Sequence, residues 1–528
     1  MASPLLLERT GSFLSPLFAS RRLLLVGKQL VRHCQGAVLG FRRGKDGVLL
    51  TPTSAQLNTS WNGKLDQKIT RHGSDIKCGQ SRVFYDLEPY KAVAVACLSD
   101  ETKPIDFSSE CLDEEAATIR EAVSAGVRAL HSMKIPKVDV DSCGNAKAAA
   151  EGAHLATFSF DNLKSEKKSS IDLGLIEKNK DDDVVSWKKG SVLARAQNLA
   201  REWEEMPSNF MTPSIFAETV TKRLLKTAND VDAEKNLKIH CWDREWIANM
   251  KMGGLLGVAK GSDEEPKFLE IQYTGTSEKS IPSIALVGKG VTFDTGGISI
   301  KPSANMDWMR GDMSGAAVVC ATLDALLRLK MPVNVRVFVP LCENMPSGCA
   351  LKPGDVITAM NGKTIQVDNT DAEGRLILAD ALTYASSFNP NVIIDVATLT
   401  GAMMVALGSG AAGVFCTSDS LWQDFFEAGY LAGDRFWRMP LFKTYRKMID
   451  GHLADINNVG ESRYGGACTA AAFLKEFVTV KYWAHVDIAG VMWNDGKVPC
   501  LSKGLTGRPT RAMVEAVQNI ASIGHLVD

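Results

Sequence analysis

The sequence predicts an α/β protein of two α/β domains, the C-terminal one a mainly parallel or mixed central sheet with helices on both faces. Three observations lead there. From Lys267 onward, strand-like apolar runs alternate with longer runs of helical periodicity, the βαβ pattern of a sheet covered on both sides. Val392-Ile393-Ile394-Asp395-Val396-Ala397 is nearly all apolar, as a central strand should be. A chain of 528 residues expects more than one domain and has ample material for a large core.

Composition narrows the partners. With 60 basic and 61 acidic residues the formal net charge is -1, so no global field draws the chain to nucleic acid or a membrane surface. The 12 cysteines are scattered without a CxxC pair. Cys34, Cys78, Cys97, Cys111 and Cys143 read as ordinary reduced thiols, which suits a reducing compartment. No apolar run reaches the length of a membrane-spanning helix.

Residues 1–35 stand apart, with Arg9, Arg21, Arg22, Lys28 and Arg32 against a single acid, Glu8, among many leucines and several serines. That composition suits a mitochondrial transit peptide; an untargeted tail on a cytoplasmic protein is the alternative. Residues 36–186 read as an N-terminal α/β domain. Its strands are Val48–Leu50, Val83–Tyr85 and Ala92–Ala96, its helices Glu115–Met133 and Ala148–Thr157, and the charged stretch Lys178–Asp183 reads as an exposed loop. Residues 187–206 form a linker helix with Val192, Leu193, Ala196, Leu199, Ala200 and Trp203 on its inner face, and Pro207 and Pro213 close it. Residues 207–528 form the second domain. Its strands are Lys267–Tyr273, Ile284–Val287, Val333–Val339 and Val392–Thr398, its helices Gly315–Lys330 and Leu376–Phe388.

The chemistry concentrates in two stretches of that second domain. Val367-Asp368-Asn369-Thr370-Asp371-Ala372-Glu373-Gly374-Arg375-Leu376 packs carboxylates and a guanidinium between an Asn361-Gly362 turn and an apolar helix-like run. Asp371 and Glu373 are two positions apart, so in an extended segment they project to the same side. Two like charges held together cost energy unless a cation sits between them. Alone, this stretch reads equally well as a solvated turn before a helix. The second stretch tips the balance: Lys289 and Asp294 follow the buried strand Ile284–Val287, at the edge where open α/β sheets place their ligands. Lys301 and Asp312 come next, in a loop-like region before a helix. Lys289, Asp294, Asp312, Asp371 and Glu373 offer carboxylates and one amine, with no His and no Cys. Hard oxygen donors suit Mg, Mn or Zn, and shared carboxylates suit a pair of ions better than one.

These two stretches resemble the signature of the leucyl aminopeptidases, the dizinc M17 peptidases of the cytosolic animal type, some of whose insect sperm members are paralogues. Asn369-Thr370-Asp371-Ala372-Glu373-Gly374-Arg375-Leu376 matches the family's most specific motif in full, and the resemblance runs from about Val38 to Pro509. It implies that residues 207–528 are a dimetal peptidase domain that removes N-terminal, preferably leucine-like residues from peptides by two-metal-activated water attack. By the same resemblance Asp294 and Glu373 bridge two ions, Zn and/or Mn or Mg. Asp371 completes one metal site; Lys289 and Asp312 complete the other. Lys301 polarises the scissile carbonyl, and Arg375 holds a bicarbonate that serves as general base. Met309, Thr398, Gly401, Ala489 and Met492 receive the first side chain of the peptide. A homohexamer is implied as well.

Departures sit beside the motif: Thr295 where Ser is usual, Gly311 where Ala is frequent, and Ser314 where Gly is usual. Ser314 matters most, since a side chain beside Asp312 and the start of the helix could crowd the second metal, but these changes do not argue for loss of catalysis. The rival reading, which some insect sperm members of the family resemble, is a catalytically weak paralogue acting as an abundant structural protein. Other motifs resolve to structure: Asn361-Gly362-Lys363-Thr364 lacks the earlier P-loop glycine, with Ile at 357. His154, His452 and His485 show no metal spacing, and Met306, Trp308, Met403, Met404 and Trp493 read as core.

Overall fold

The computed structural model describes residues 35–73, 75–100, 110–176 and 181–522. The transit-peptide expectation therefore lies outside the described residues. The first domain is one twisted sheet of β1 (Gln35–Gly44), β2 (Gly47–Leu50), β3 (Ser81–Phe84), β4 (Ala92–Asp100), β5 (Lys137–Val140) and β6 (Asp172–Leu175). Its order is β3-β4-β1-β5-β6 with β2 on β1, and β4, β1, β5 and β6 run parallel. Helices Glu114–Ser132 and Ala146–Ala156 cover one face, where their apolar residues meet Val38, Ala94 and Val138.

The sequence reading starts the linker helix at Trp187, but it begins at Asp181 and runs unbroken to Glu205. Asp181, Asp182 and Asp183, expected in a loop, make its first turn, where carboxylates favour the positive end of the helix. The inner face is as expected: Leu193, Ala196, Leu199, Ala200 and Trp203 are buried in the second domain's core.

That domain follows with β7 (Leu237–Trp242), β8 (Lys267–Thr274), β9 (Ser283–Gly288), β10 (Gly290–Asp294), β11 (Asn334–Asn344), the hairpin β12 (Val356–Thr358) and β13 (Thr364–Gln366), β14 (Val392–Ala397), β15 (Ala412–Cys416), β16 (Phe436–Arg438), β17 (Ile456–Asn457), β18 (Tyr482–Asp487), and the pair β19 (Trp493–Asn494) and β20 (Gly504–Leu505). The main sheet has the order β16-β15-β18-β14-β9-β11-β8-β7, with β10 on β11. Its centre is parallel and its flanks carry antiparallel pairs, the mixed sheet expected.

Side chains alternate between its two faces. Ile284, Leu286, Val392, Ile394 and Val396 face a layer containing helix Ser314–Arg328 and the long helix. Ala285, Val287, Ile393 and Ala397 face a layer containing helix Gly374–Ser387. Asp395, left unassigned on sequence, is a paired core acid: it accepts from Trp483 Nε1 at 2.8 Å and pairs with His485 Nδ1 at 2.5 Å. Helix Ser314–Arg328 approaches the sheet so closely that a Cβ on Gly315 would lie 2.1 Å from the Val396 carbonyl oxygen. No described cysteine is in a disulfide.

At the end of the long helix, Glu204 is fully buried; its Oε2 accepts from Gly507 N at 2.9 Å, while Oε1 has no hydrogen-bond partner among the described residues. Burial pushes its carboxyl up from 4.5 to about 8. A raised carboxyl binds its proton more tightly when folded, so stability falls as pH rises from the unfolded to the folded value. Glu204→Gln is expected to flatten the loss of stability between pH 4.5 and about 8, measured by urea unfolding across that window.

Candidate active site

Parallel strands bring their C-terminal ends to one edge, and the site is assembled there. Lys289 follows β9, Asp294 ends β10, Asn344 ends β11, Thr398 follows β14, and Asp487 ends β18. Helix Gly374–Ser387 starts at the same edge with Glu373 as its N-cap residue. Asp371 and Glu373 do converge, but not through an extended segment: residues 369–372 turn, and Glu373 already has helical φ and ψ. Thr370 fixes that turn against the other stretch. Its hydroxyl donates to Gly296 O at 2.6 Å and accepts from Ser299 N at 2.8 Å.

Lys289 is 3% exposed and lies among acids, its Nζ 2.9 Å from Asp312 Oδ2 and 2.8 Å from Glu373 Oε1. It also donates to Thr398 O at 3.1 Å. Position 374 must be glycine for this, because a Cβ there would lie 2.6 Å from Lys289 Cε. Lys301 Nζ is 2.7 Å from Asp294 Oδ2 and pairs with Asp371. Asp294, Asp371 and Glu373 each present an oxygen within 4.8 Å of the others. All five predicted ligands thus share one cage, and the two ammonium groups supply positive charge where cations would otherwise neutralise the acids.

The electrostatics are those of a crowded acid cluster. Burial, reinforced by Glu373, pushes Asp294 up to about 6. Burial lifts Asp312 well above the usual carboxyl value despite Lys289, and it raises Asp371 despite Lys301. Burial opposes the Glu373 charge too, but Lys289 and Lys301 outweigh it and hold that carboxyl below its ordinary value. Burial works against the Lys289 charge, and the acids around it reverse that and raise its affinity for a proton. A metal must therefore displace that proton before the amine can ligate. The donor set fits hard divalent ions, and Glu373 Oε2 is buried with no hydrogen-bond partner among the described residues, as an acceptor for a cation would be.

The cage opens into a cavity of about 410 Å³ lined by Lys289, Asp294, Lys301, Asp312, Asp371, Glu373 and Arg375, and by Met309, Thr398, Gly401, Ala489 and Met492. Every predicted site residue is present. Thr398 does more than line the wall, since its hydroxyl donates to Asp312 Oδ1 at 2.7 Å. Met306, Trp308 and Met404, expected in the core, line the same cavity, whereas Met403 is core. Arg375 Nη1 donates to Asn458 O at 2.7 Å, and Nε has no hydrogen-bond partner among the described residues; burial lowers the guanidinium to about 10.

Ser314 does not crowd the cage. Its hydroxyl turns away and donates to Gly311 O at 2.7 Å, within its own turn. Sequence reasoning missed three supporting residues. Asn344 Nδ2 donates to Asp294 Oδ1 at 2.8 Å and to Thr370 O at 3.0 Å. Asn458 accepts from Asp368 N at 2.9 Å, and Asp487 accepts from Thr400 Oγ1 at 2.7 Å. Each is a polar residue at or beside a strand end, and that position was the available signal.

A mixed sheet whose parallel strands end on buried carboxylates and amines puts a donor set for cations at the edge where open α/β sheets place their ligands. The family model "Cytosol aminopeptidase family, catalytic domain" matches residues 198–514, and "Cytosol aminopeptidase family, N-terminal domain" matches residues 38–167. The chain is 51% identical over 487 residues to the cytosol aminopeptidase of Xenopus tropicalis, covering 91% of this chain and 92% of that one. It is 51% identical over 486 residues to the cytosol aminopeptidase of Homo sapiens, with 91% and 92% covered. Among solved structures, the bottromycin maturation enzyme BotP superposes with a TM-score of 0.77 at 31% identity, covering 92% of this chain and 99% of that one. A structure of BotP in complex with Mn matches equally well. The chain belongs to the cytosol aminopeptidase family, peptidase family M17. It is a metal-dependent aminopeptidase, a hydrolase acting on peptides.

Proposed function

We propose that the chain releases N-terminal, preferably leucine-like residues from peptides with a free N-terminus, using two divalent ions, Zn and/or Mn or Mg. The observation that carries this is the meeting of Asp294, Asp371 and Glu373 oxygens within 4.8 Å, beside Lys289 and Asp312 and at the mouth of an apolar-walled cavity. Asp294, Asp371 and Glu373, with Lys289 and Asp312, would hold the ions. When bound, such ions supply Lewis acidity toward a carbonyl and make a water acidic enough to attack at neutral pH.

The chain's own residues do the rest. Lys301, kept charged by Asp294 and Asp371, places positive charge where the scissile carbonyl oxygen gains negative charge. Met309, Thr398, Gly401, Ala489 and Met492 take the first side chain. Arg375, anchored through Asn458 with Nε unpartnered among the described residues, would hold an anion, bicarbonate by family resemblance, that would supply a base toward the water. The intact cage supports an enzyme over a catalytically weak structural paralogue. A homohexamer is part of this reading. The composition of residues 1–35 supports mitochondrial delivery, and the relatives' name, cytosol aminopeptidase, supports the cytoplasmic alternative.

Chelation tests the assignment. Leucine amide hydrolysis should disappear when metal is stripped, with the loss confirmed by elemental analysis, and should return on adding Mn or Zn; full rate in metal-free protein sinks it. The anion role has a separate test. Bicarbonate added to carbonate-free buffer should raise kcat of the wild type and leave Arg375→Ala unmoved; equal stimulation of both removes Arg375 from that role.

A further inference from the structure

Glu205 closes the long helix and does not line the cavity, yet it is bonded to both segments that carry the cavity's methionine walls. Its Oε2 accepts from Arg310 Nη2 at 2.7 Å, and its Oε1 accepts from Leu505 N at 2.7 Å. Arg310 belongs to the 3-10 helix Met306–Gly311, whose Met306, Trp308 and Met309 line the cavity. Leu505 belongs to β20, which pairs with Trp493 of β19, one residue beyond cavity-lining Met492.

The seam between the two segments is tight. Trp308 and Trp493 stack with ring centroids 4.1 Å apart and planes 12° from parallel, and Arg310 lies over Trp493 at 6.0 Å. A Cβ on Gly311 would fall 2.6 Å from Leu505 Cδ2 and 2.8 Å from Met492 Cε. Gly504, at φ +115°, faces Glu205 so closely that a Cβ there would lie 2.0 Å from its Oε1. The Glu205 side chain is 12% exposed and that of Arg310 18%, so the pair is shielded from water on most sides and holds its geometry better than a surface pair.

We propose that Glu205 is a positioning residue that sets the width of the pocket for the substrate's first side chain, through Arg310 on one wall and the β19–β20 hairpin on the other. This rests on the assignment of Met309 and Met492 to that pocket. A pocket discriminates side chains differing by a methylene only while its walls keep contact, a preference of about 10–200-fold per methylene. Releasing the clamp lets the walls part, so a leucine-sized side chain loses contact area that an alanine-sized one never had.

The full-length, Mn-loaded protein is assayed on leucine amide and alanine amide as wild type, Glu205→Ala, Arg310→Ala, the double variant and Glu205→Gln. In each alanine variant the leucine-over-alanine ratio of kcat/KM should fall about fivefold or more, chiefly through KM for leucine amide, with kcat changed less than about twofold. The double variant should lose no more than the larger single effect, because both act through one contact. Glu205→Gln keeps one acceptor and should fall between wild type and Glu205→Ala. If Glu205→Ala does not fold, Arg310→Ala decides alone. An unchanged ratio, or losses that add in the double variant, overturns the proposal while leaving the pocket assignment standing. A wild type inactive on both amides, or indifferent to the side chain, overturns both.

Discussion

Glu373→Gln should leave a folded protein and lower kcat/KM on leucine amide by about a thousandfold or more, the scale expected when a group acting in the transition state is removed. Glutamine fits the space, so the change isolates charge from shape. What disappears is the carboxylate that Lys289 approaches at 2.8 Å, together with its second oxygen, which is buried without a hydrogen-bond partner among the described residues. The variant should also bind less than the wild-type quota of metal when loaded protein is desalted and analysed. A variant with near-wild-type rate would remove Glu373 from the cage's chemistry.

Glu151→Ala should destabilise the protein by about 3–5 kcal/mol, the cost of leaving buried charges without their partner. Glu151 is fully buried in the first domain, where its Oε2 accepts from Arg120 Nε at 2.5 Å and from Arg511 Nη1 of the C-terminal helix at 2.8 Å. Arg511 also donates to Ala432 O at 2.7 Å, and Arg120 to Leu431 O at 2.7 Å, so one carboxylate ties the two domains. Burial opposes its charge, and Arg120, Arg511 and Lys147 overcome that and hold it below 4.5. A depressed carboxyl contributes stability that is present above its unfolded value and lost as pH falls through the folded one. The gap between wild type and variant should therefore narrow in acid below pH 4.5. A denaturant midpoint unmoved at neutral pH would show that the arginines find other partners.

Much of this was legible in the residues themselves. The cage could be read because its ligands fall in two short stretches, 289–312 and 367–376, with unusual acid density beside glycines and an apolar strand. The central strands could be read because burial on both faces leaves them apolar, as in Val392–Ala397. What escaped reading depends on tertiary placement. β1 is the middle strand of the first sheet, yet Gly36, Gly40 and Gly44 interrupt its apolar run and Arg42 and Arg43 end it. Asn344 and Asn458 lie outside both motifs in sequence, and only strand order brings them beneath Asp294 and Arg375. The fear that Ser314 would obstruct the cage failed because a helix-start serine can bond back to its own turn, as this one does to Gly311.

The helix Asp181–Glu205 packs against Ala146–Ala156 of the small domain and ends on the carboxylate that clasps Arg310. It is a rod without a joint, anchored at one end in a domain that holds no part of the chemistry. Residues that never meet a peptide thereby gain mechanical purchase on which peptides are taken. Drift in the small domain's sequence has a rigid route by which to retune selectivity while the ligands of the cage stay unchanged.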